Sequence, residues 1–216
     1  MNLDLFAPDD LTPANVRLAP QAVVLRGFAL PEEGRLLREL ARVWGQAPAR
    51  HMVTPGGYRM SAALTNCGTL GWTTDERGYR YTRLDPLTGQ PWPALPASFL
   101  ALAQRAAQAA GFPDFQPDAC LINRYLPGAR MSLHQDKNER DFKFPIVSVS
   151  LGIPAIFLFG GMKRSDAVQR VALQHGDVAV WGGADRLRYH GVAPLKDATH
   201  PSLGAVRVNL TFRRAG

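Results

Sequence analysis

The chain has 216 residues and a net charge of +7, with 46% hydrophobic and 20% charged residues. This composition is ordinary for a globular protein with a substantial core and excludes a chain that is disordered because of its composition. No apolar run approaches the length of a bilayer span, and the N-terminal segment MNLDLFAPDDL lacks the basic and apolar parts of a secretory signal. The only cysteines, Cys67 and Cys120, have no metal-binding spacing. We therefore expect reduced thiols and a cytoplasmic location.

The positive charge is concentrated in the C-terminal part of the chain. Residues 121–216 contain 14 lysines and arginines against 7 aspartates and glutamates, a surplus equal to the whole net charge of +7. Basic proteins attract polyanions, of which nucleic acid is the commonest. Because many basic proteins have other functions, the charge favours a nucleic-acid partner only weakly.

The N-terminal half predicts a strand, two helices and a long irregular segment. The run AVVLRGF (22–28) is typical of a strand. Pro31 and the acids after it predict the start of a helix. Apolar residues then follow helical spacing; they are Leu36, Leu37, Leu40, Val43 and Trp44. Residues 46–93 are rich in Gly, Pro, Tyr, Trp and Arg and are interpreted as irregular, either mobile or a binding surface. Residues 96–112 predict a second helix that ends at Gly111.

From residue 118 onward the pattern is that of short β-strands. The runs ACLINRY, IVSVSLG, AIFLFG, VALQHGDVAVWGG and AVRVNLTFR are separated by Gly, Pro and Asp. Such spacing is typical of an all-β sandwich or barrel. We predict one domain over residues 1–216, mainly β with flanking helices (α+β), with its β core in residues 118–216.

Three residues of the β-rich part form a candidate metal site. His134 and Asp136 are two residues apart in an extended segment, so their side chains are expected on one face, although such a pair can also be a surface ion pair. His190 supplies a third candidate ligand. Two histidines and one carboxylate on one side of a metal are typical of non-haem Fe(II) oxygenases. The other histidines have no such partner and are interpreted as surface or structural residues; they are His51, His175 and His200.

The C-terminal strand alternates strictly between apolar and polar side chains. Its polar positions are Arg207, Asn209, Thr211 and Arg213. The alternation is compatible with a solvent-facing edge strand, but two arginines on one face could also converge on an anion. In LINRY, Asn123 and Tyr125 likewise share a face. A small dicarboxylate held by such residues beside Fe(II) would be 2-oxoglutarate.

Several motifs together resemble the bacterial AlkB family of iron- and 2-oxoglutarate-dependent DNA repair dioxygenases. They are MVTPGGYRMSAALTNCG, LGWTTDERGY, PDFQPDACLINRYLPGA, LHQDK, PIVSVSLGIPAIFLFGG, HGDVAVWGG, RYHGV and VNLTFRRAG, and the resemblance runs from about LDLFA to the end of the chain. It implies a double-stranded β-helix (jelly-roll) core in which residues 46–93 form a nucleotide-recognition lid.

The resemblance also implies roles for individual residues. Fe(II) is expected on His134, Asp136 and His190, which are the catalytic centre. The residues expected to hold 2-oxoglutarate are Asn123, Arg124, Tyr125, Arg207, Asn209, Thr211 and Arg213. The residues expected to contact the substrate nucleotide are Thr54, Tyr58, Trp72, Tyr79, Arg80, Tyr81, Lys137, Asn138 and Arg164. Trp72 is expected to stack on the damaged base, although from position alone Trp72 and Tyr79 could equally be core residues.

The implied reaction is the oxidative demethylation of N-alkylated bases such as 1-methyladenine and 3-methylcytosine. It uses Fe(II), 2-oxoglutarate and O2, releases succinate, CO2 and formaldehyde, and acts on alkylated DNA, preferably single-stranded, with RNA as a further substrate. We expect a monomer with no membrane partner. Asn138 departs from the family pattern, in which an acid occupies this position, so the base preference is open. The alternatives are a 2-oxoglutarate oxygenase with a non-nucleic-acid substrate and a metal-loaded binding module without turnover.

Overall fold

The computed structural model describes residues 14–216, so the LDLFA motif and the rest of the N-terminal segment lie outside the described residues. In chain order the elements are β1 (Val16–Ala19), β2 (Ala22–Leu25), α1 (Glu33–Gln46), β3 (Ala63–Gly68), β4 (Gly71–Asp75), β5 (Gly78–Thr82), α2 (Ala97–Ala109), β6 (Ala119–Tyr125), β7 (Met131–His134), β8 (Ile146–Gly152), β9 (Ala155–Phe159), β10 (Gln169–Leu173), β11 (Val178–Trp181), β12 (His190–Val192) and β13 (Arg207–Arg213). Short 3-10 turns occupy Leu30–Glu32 and Gly183–Asp185.

Within residues 14–216 the strands form two large antiparallel sheets and one hairpin. The major sheet has seven strands in the order β1-β2-β11-β8-β13-β6-β3, and the minor sheet has four in the order β10-β9-β12-β7. Strands β4 and β5 pair only with each other. Most neighbours in the large sheets are distant in sequence, so side chains from separate parts of the chain are brought side by side.

Strand β13 lies inside the major sheet, between β8 and β6, and explains how the helices pack. Its apolar side chains Val208, Leu210 and Phe212 are fully buried in a cluster with residues of both helices. The helices contribute Leu36, Leu40 and Val43 from α1 and Phe99, Leu102, Ala103, Ala106 and Ala107 from α2. Because successive strand residues point to opposite faces, the polar side chains of β13 point to the other face of the sheet. They are nevertheless buried, so β13 is not a solvent-facing edge strand.

The minor sheet packs against this second face of the major sheet. Phe157 and Phe159 of β9 form an apolar cluster with Ile146 of β8 and Trp181 of β11. A cavity of about 750 Å³ lies beside this cluster, and its lining includes residues of β6 and β13 from one sheet and of β7 and β12 from the other. The predicted mainly β fold with flanking helices is confirmed, and two facing antiparallel sheets are the arrangement of a jelly roll.

Two sequence predictions about boundaries are corrected. Residues 46–93 are not wholly irregular, because they contain β3 and the β4–β5 hairpin. Strand β3 pairs with β6 along its whole length, so it belongs to the major sheet. The β core is also not confined to residues 118–216, since β1, β2 and β3 all join the same sheet. Their short, weakly alternating sequences did not reveal pairing partners that are remote in the chain.

Among residues 14–216, no helix is long and apolar enough to cross a membrane.

Candidate metal and cosubstrate site

The three predicted metal ligands meet at one end of the minor sheet. His134 is the last residue of β7 and His190 the first of β12, and the two are direct cross-strand partners. Asp136 lies two residues beyond β7, with its carboxylate oxygens 3.6 Å from Nε2 of each histidine. The three ligand atoms lie within 4.8 Å of one another. Gly191 permits this approach, since a Cβ atom there would lie 2.6 Å from the backbone oxygen of Met131.

Hydrogen bonds set both imidazoles in the tautomer that a metal requires. Nδ1 of His134 lies 2.9 Å from the carbonyl oxygen of Ser132, and Nδ1 of His190 lies 3.0 Å from that of Arg188. A carbonyl oxygen can only accept, so each Nδ1 carries the proton. Each Nε2 therefore presents a free lone pair to the cluster, as in metal sites whose ligands are oriented by their surroundings.

The charge states of the cluster also suit a divalent cation. Burial within the cavity wall and the neighbouring His190 lower the pKa of His134 to about 4, although 37% of its side chain is accessible. Burial alone would raise the pKa of Asp136, but Arg213 and His190 hold it well below the usual range. A neutral imidazole and an ionised carboxylate are the forms that bind metal.

A second cluster has a similar composition, but its histidines are in the tautomer that cannot bind a metal through Nε2. Glu33, His175 and His200 also place ligand atoms within 4.8 Å of one another. Here, however, backbone N–H groups donate to Nδ1 of both histidines, from Gly152 at 2.8 Å and from Ser202 at 3.2 Å. Each neutral ring must then carry its proton on Nε2, which removes that lone pair. The composition of the two clusters is alike, and the backbone around them distinguishes the metal-competent one.

Arg213 is bound to the metal-ligand carboxylate. Its Nε and Nη2 donate to Asp136 Oδ2 at 2.9 and 2.6 Å, and its Nε lies 3.4 Å from Glu139. Glu139 in turn is paired with Arg186 at 3.1 Å. Arg213 also lines the cavity, but its main partner within residues 14–216 is Asp136 and not an open anion site. Its predicted contact with 2-oxoglutarate stays a prediction, and the structure adds a contact that orients Asp136.

The environment of Arg207 differs from that of Arg213, because most of its hydrogen-bond donors have no partner among residues 14–216. Its side chain is 1% exposed, and only Nη2 has a hydrogen bond among residues 14–216, to Ser150 Oγ at 3.1 Å. Nε and Nη1 are buried without a partner. Burial lowers the pKa of Arg207, and its guanidinium lies 5.1 Å from the centre of the Tyr125 ring. A buried cation with unused donors is costly unless an anion completes it. The distal carboxylate of 2-oxoglutarate has the charge and the two acceptors that Arg207 lacks.

The other residues predicted to hold 2-oxoglutarate lie on two different faces of their strands. Asn123, Tyr125, Asn209 and Thr211 line the cavity with Arg207. Asn123 Oδ1 is buried without a partner. Arg124 is excluded from the cosubstrate set because it alternates with Asn123 and Tyr125 along β6 and therefore points to the opposite face. Its neighbours on that face include the cross-strand partners Ala63 and Val208.

Most of the predicted substrate residues gather around the mouth of the cavity. Those that line it are Thr54, Tyr58, Trp72, Tyr79, Lys137, Asn138 and Arg164. The rings of Trp72 and Tyr79 are stacked, with centroids 5.6 Å apart and planes inclined by 19°. Trp72 Nε1 donates a hydrogen bond to Asn138 Oδ1 at 3.1 Å.

Two predicted substrate residues do not line the cavity. Arg80 lies on the other face of the hairpin from Tyr79 and is paired with Asp75, to which it donates bonds of 2.6 and 2.8 Å. The Tyr81 hydroxyl points inward and donates to Glu139 Oε1 at 2.7 Å. The position of Arg80 follows from the alternation along β5, which could not be read from a segment interpreted as irregular. Tyr81 shares a face with Tyr79, and its hydrogen bond to Glu139 directs its hydroxyl inward.

Several further residues shape the site but belong to no motif that the sequence reveals. Glu139 and Arg186 support Asp136 through Arg213 and through a bond of 2.8 Å from Arg186 to the Asp136 backbone oxygen. The Trp181 ring lies 4.8 Å from that of His190 and packs on it edge-on. Arg59 and Arg130 add positive charge to the cavity wall. Glu139 falls just after the metal motif, but a charged residue there is indistinguishable from a surface residue without the structure.

Comparisons with known proteins agree with this geometry. The model of the 2OG-Fe(II) oxygenase superfamily matches residues 21–213. The chain is 61% identical to the alpha-ketoglutarate-dependent dioxygenase AlkB of Escherichia coli over 214 residues, covering 99% of this chain and 98% of that protein. It is 34% identical to the Arabidopsis thaliana DNA N(6)-methyladenine demethylase ALKBH1C over 185 residues, 73% of this chain and 41% of the relative. The solved structure of OsALKBH1 superposes with a TM-score of 0.81 at 29% identity, covering 93% of this chain and all of that one.

Proposed function

Because the chain belongs to the 2OG-Fe(II) oxygenase superfamily, we propose that it removes N-alkyl groups from bases in DNA. The reaction uses Fe(II), 2-oxoglutarate and O2 and releases succinate, CO2 and formaldehyde. The observation that carries the proposal is Arg207, a buried guanidinium with two unused donors, which lines the same cavity as the His134–Asp136–His190 cluster.

The roles of binding Fe(II) and binding 2-oxoglutarate can each be assigned to particular residues of the chain. Nε2 of His134, Nε2 of His190 and the carboxylate of Asp136 would hold Fe(II), and Arg213 keeps Asp136 ionised and oriented. Arg207 would hold the distal carboxylate of 2-oxoglutarate, with Asn123 and the neighbouring polar side chains completing the pocket. Bound iron with its two cosubstrates supplies the oxidation of the N-methyl carbon, while the protein supplies geometry and excludes water.

The outer part of the cavity suits a nucleotide. Trp72 and Tyr79 offer aromatic faces at the mouth, and base–aromatic stacking is a general way to hold an unpaired base. Four exposed cations line the same wall, namely Arg59, Arg130, Lys137 and Arg164, and can contact phosphates. A methyl group inside a base stack is unreachable, so the nucleotide must leave the stack, which costs least in single-stranded or lesion-containing DNA. The name of the Arabidopsis relative, a DNA demethylase, also supports a nucleic-acid substrate.

Further expectations from the sequence belong to the same proposal. Residues 46–93 would be the nucleotide-recognition lid of one domain spanning residues 1–216, supported by Thr54, Tyr58, Trp72 and Tyr79 at the cavity mouth. We propose single-stranded DNA as the preferred substrate, with RNA as a further one, and a monomer as the working unit. A cytoplasmic location is supported by two buried, unpaired cysteines.

The test is to incubate the protein with Fe(II), 2-oxoglutarate, O2 and a single-stranded oligonucleotide containing 1-methyladenine or 3-methylcytosine. We expect formaldehyde and succinate in equal amounts, dependent on the lesion, and the unmodified base in the product. The Asp136→Ala variant should give neither product. If no methylated oligonucleotide increases the yield of succinate, the result would contradict a nucleic-acid substrate. It would instead favour an oxygenase that acts on another substrate.

A further inference from the structure

A histidine that does not line the cavity is hydrogen-bonded to the strand beside Arg207. His175 lies in the turn between β10 and β11, and its Nδ1 accepts a hydrogen bond of 2.8 Å from the backbone N–H of Gly152. Gly152 is the last residue of β8 and pairs directly with Arg207 of β13. The imidazole therefore holds the sheet at the point where the arginine proposed to bind 2-oxoglutarate begins its strand.

The same turn also holds the side chain that orients the Arg207 guanidinium. Ser150 Oγ accepts a hydrogen bond of 3.1 Å from Arg207 Nη2. The backbone of Ser150 is bonded to the turn on both sides, since its oxygen accepts from the N–H of Gly176 at 2.8 Å and its N–H donates to the oxygen of Asp177 at 2.9 Å. The β10–β11 turn thus fixes Ser150 through its backbone and Gly152 through the imidazole.

Gly152 is packed so closely that its position determines that of the backbone before Arg207. Its φ of +89° lies in the left-handed region that favours glycine. A Cβ atom at Gly152 would lie 2.1 Å from the backbone oxygen of Val206, the residue that precedes Arg207. The same oxygen accepts a hydrogen bond of 3.0 Å from the N–H of Ile153. A shift of Gly152 would therefore be passed to Val206 and to the start of β13.

The orientation of the His175 ring is fixed by neighbours from two other parts of the chain. It stacks on the ring of His200, with centroids 4.1 Å apart and planes inclined by 21°. Its Nε2 lies 3.4 Å from Glu33 Oε1, near the start of α1. Ser202 fixes both neighbours, because its hydroxyl donates to Glu33 Oε1 and its backbone N–H donates to His200 Nδ1, each at 3.2 Å. These contacts keep Nδ1 of His175 directed at Gly152.

The bond to Gly152 requires a neutral imidazole. A protonated ring carries a hydrogen on both nitrogens, so it cannot accept the N–H of Gly152. Burial and the neighbouring His200 lower the pKa of His175, while Glu33 raises it, and the net shift is downward from the usual 6.5. Glu33 and His200 are the titratable groups that face this ring. The ring is therefore neutral at neutral pH, and a proton taken up at lower pH would set two donors against each other.

We propose that His175 is a positioning residue for 2-oxoglutarate, because the hydrogen bond that it accepts from Gly152 holds β8 and β13 in the geometry that presents the free donors of Arg207 to the distal carboxylate. Protonation of His175 releases Gly152 and weakens the binding of 2-oxoglutarate. By linkage, bound 2-oxoglutarate also makes His175 harder to protonate. The role rests on the proposed function, in which Arg207 holds the cosubstrate, and adds a residue outside the cavity to that site.

The first experiment measures the affinity for 2-oxoglutarate by calorimetric titration of the Mn²⁺-loaded protein at pH 7.5. His175→Leu removes the acceptor, and the affinity should fall about fivefold, as expected for one hydrogen bond. His175→Asn keeps an acceptor for Gly152 in its amide oxygen and should bind like the wild type. The control is Gln174→Leu, which adds the same leucine at the exposed neighbouring position of the turn and should change nothing. Equal losses in the Leu and Asn variants of His175 would overturn the proposal.

The second experiment tests the effect of the proton. Nitrogen NMR of the metal-free protein reports the tautomer of His175 and the midpoint of its protonation, and amide hydrogen exchange reports the protection of Gly152. We expect an unprotonated Nδ1 above the midpoint and a loss of Gly152 protection below it. The affinity for 2-oxoglutarate is then compared on the two sides of the midpoint. It should fall more in the wild type than in His175→Asn, which has the same metal ligands but no imidazole at position 175.

The outcomes separate this role from the proposed function. An Nδ1 that carries the proton above the midpoint, or equal changes of affinity with pH in the wild type and His175→Asn, would overturn the role of His175. Binding of 2-oxoglutarate that is unaltered in His175→Leu would overturn it as well and would leave the proposed function standing. A wild-type protein that binds no 2-oxoglutarate at any pH would instead overturn the proposed function itself.

Discussion

The hydroxyl of Tyr81, on the β4–β5 hairpin, donates a hydrogen bond to Glu139 Oε1 at 2.7 Å, three residues beyond the metal-ligand candidate Asp136. Burial raises the pKa of Tyr81 well above its usual value, so the hydroxyl stays protonated and remains a donor. Glu139 also contacts Arg186 at 3.1 Å and Arg213 at 3.4 Å. The hairpin that carries the aromatic wall is thereby tied to the residues that hold Asp136.

Removing this bond should loosen the hairpin without unfolding the protein. We expect Tyr81→Phe to lower the free energy of unfolding by about 1 kcal/mol, the typical net value of one hydrogen bond. Denaturant titration provides the measurement. Tyr79→Phe is the control, because Tyr79 is 48% exposed and lies on the same strand face, and its stability should match the wild type. Equal stabilities of the Tyr81 variant and the control would show that the bond to Glu139 contributes nothing.

The two buried arginines of β13 should respond oppositely to the same substitution. Arg207→Met removes a cation with two unsatisfied donors and should stabilise the cosubstrate-free protein, because burying an uncompensated charge is unfavourable. Arg213→Met breaks a buried pair with Asp136 and should cost about 3–5 kcal/mol. Thermal unfolding without metal or 2-oxoglutarate measures both. A loss of stability in Arg207→Met would mean that its guanidinium is already compensated within the fold.

Binding of 2-oxoglutarate should depend on the geometry of Arg207 as well as its charge. We expect Arg207→Lys to weaken binding by about tenfold, since an ammonium group cannot form the paired contacts of a planar guanidinium. Calorimetric titration of 2-oxoglutarate into the Mn²⁺-loaded protein gives the affinity. Succinate, which also has two carboxylates, serves as the competitor. An unchanged affinity in Arg207→Lys would place the distal carboxylate elsewhere.

Measurements of metal binding should distinguish the two histidine clusters. His134→Ala and His190→Ala should each abolish detectable Co²⁺ binding, because each removes one of the two imidazole ligands whose tautomer is set for coordination. His175→Ala, in the cluster with Nε2-protonated rings, should leave Co²⁺ binding unchanged. Visible absorption of Co²⁺ reports both the stoichiometry and the coordination. Loss of a bound Co²⁺ in His175→Ala would overturn the tautomer assignment.

The stability of the metal-free protein should depend on pH through His134. Its pKa is about 4 in the folded protein and 6.5 in the unfolded chain, so between these values the unfolded state binds more protons. The contribution of neutral His134 to the free energy of unfolding is therefore fully present above about pH 6.5. It is lost as the pH falls towards 4. Denaturant unfolding at pH 7 and pH 5 should show a larger loss for the wild type than for His134→Gln. Equal losses would indicate that the pKa of His134 is not lowered.

The fold class, the family resemblance, the three candidate metal ligands and the polar face of β13 could all be inferred from the amino-acid sequence. These were accessible because each rests on a local rule, either the alternation of side chains along a strand or a short motif with fixed chemistry. The strands β6, β8, β9, β11 and β13 were all predicted from such runs. Within residues 46–93 the same rule failed, because β3 is stabilised by pairing with β6 and shows little pattern of its own.

The tertiary structure distinguishes similar residues whose surroundings the sequence does not show. Arg207 and Arg213 share one face of one strand, yet the second is neutralised by Asp136 while the first is left with unused donors. His175 and His190 are both histidines near a carboxylate, and the backbone groups that face Nδ1 determine which ring can bind a metal. The partners in these contacts include residues far apart in the chain, such as Asp136 with Arg213 and Gly152 with His175. Charge compensation and proton position depend on what lies within about 3 Å of an atom, and that distance is a property of the folded chain.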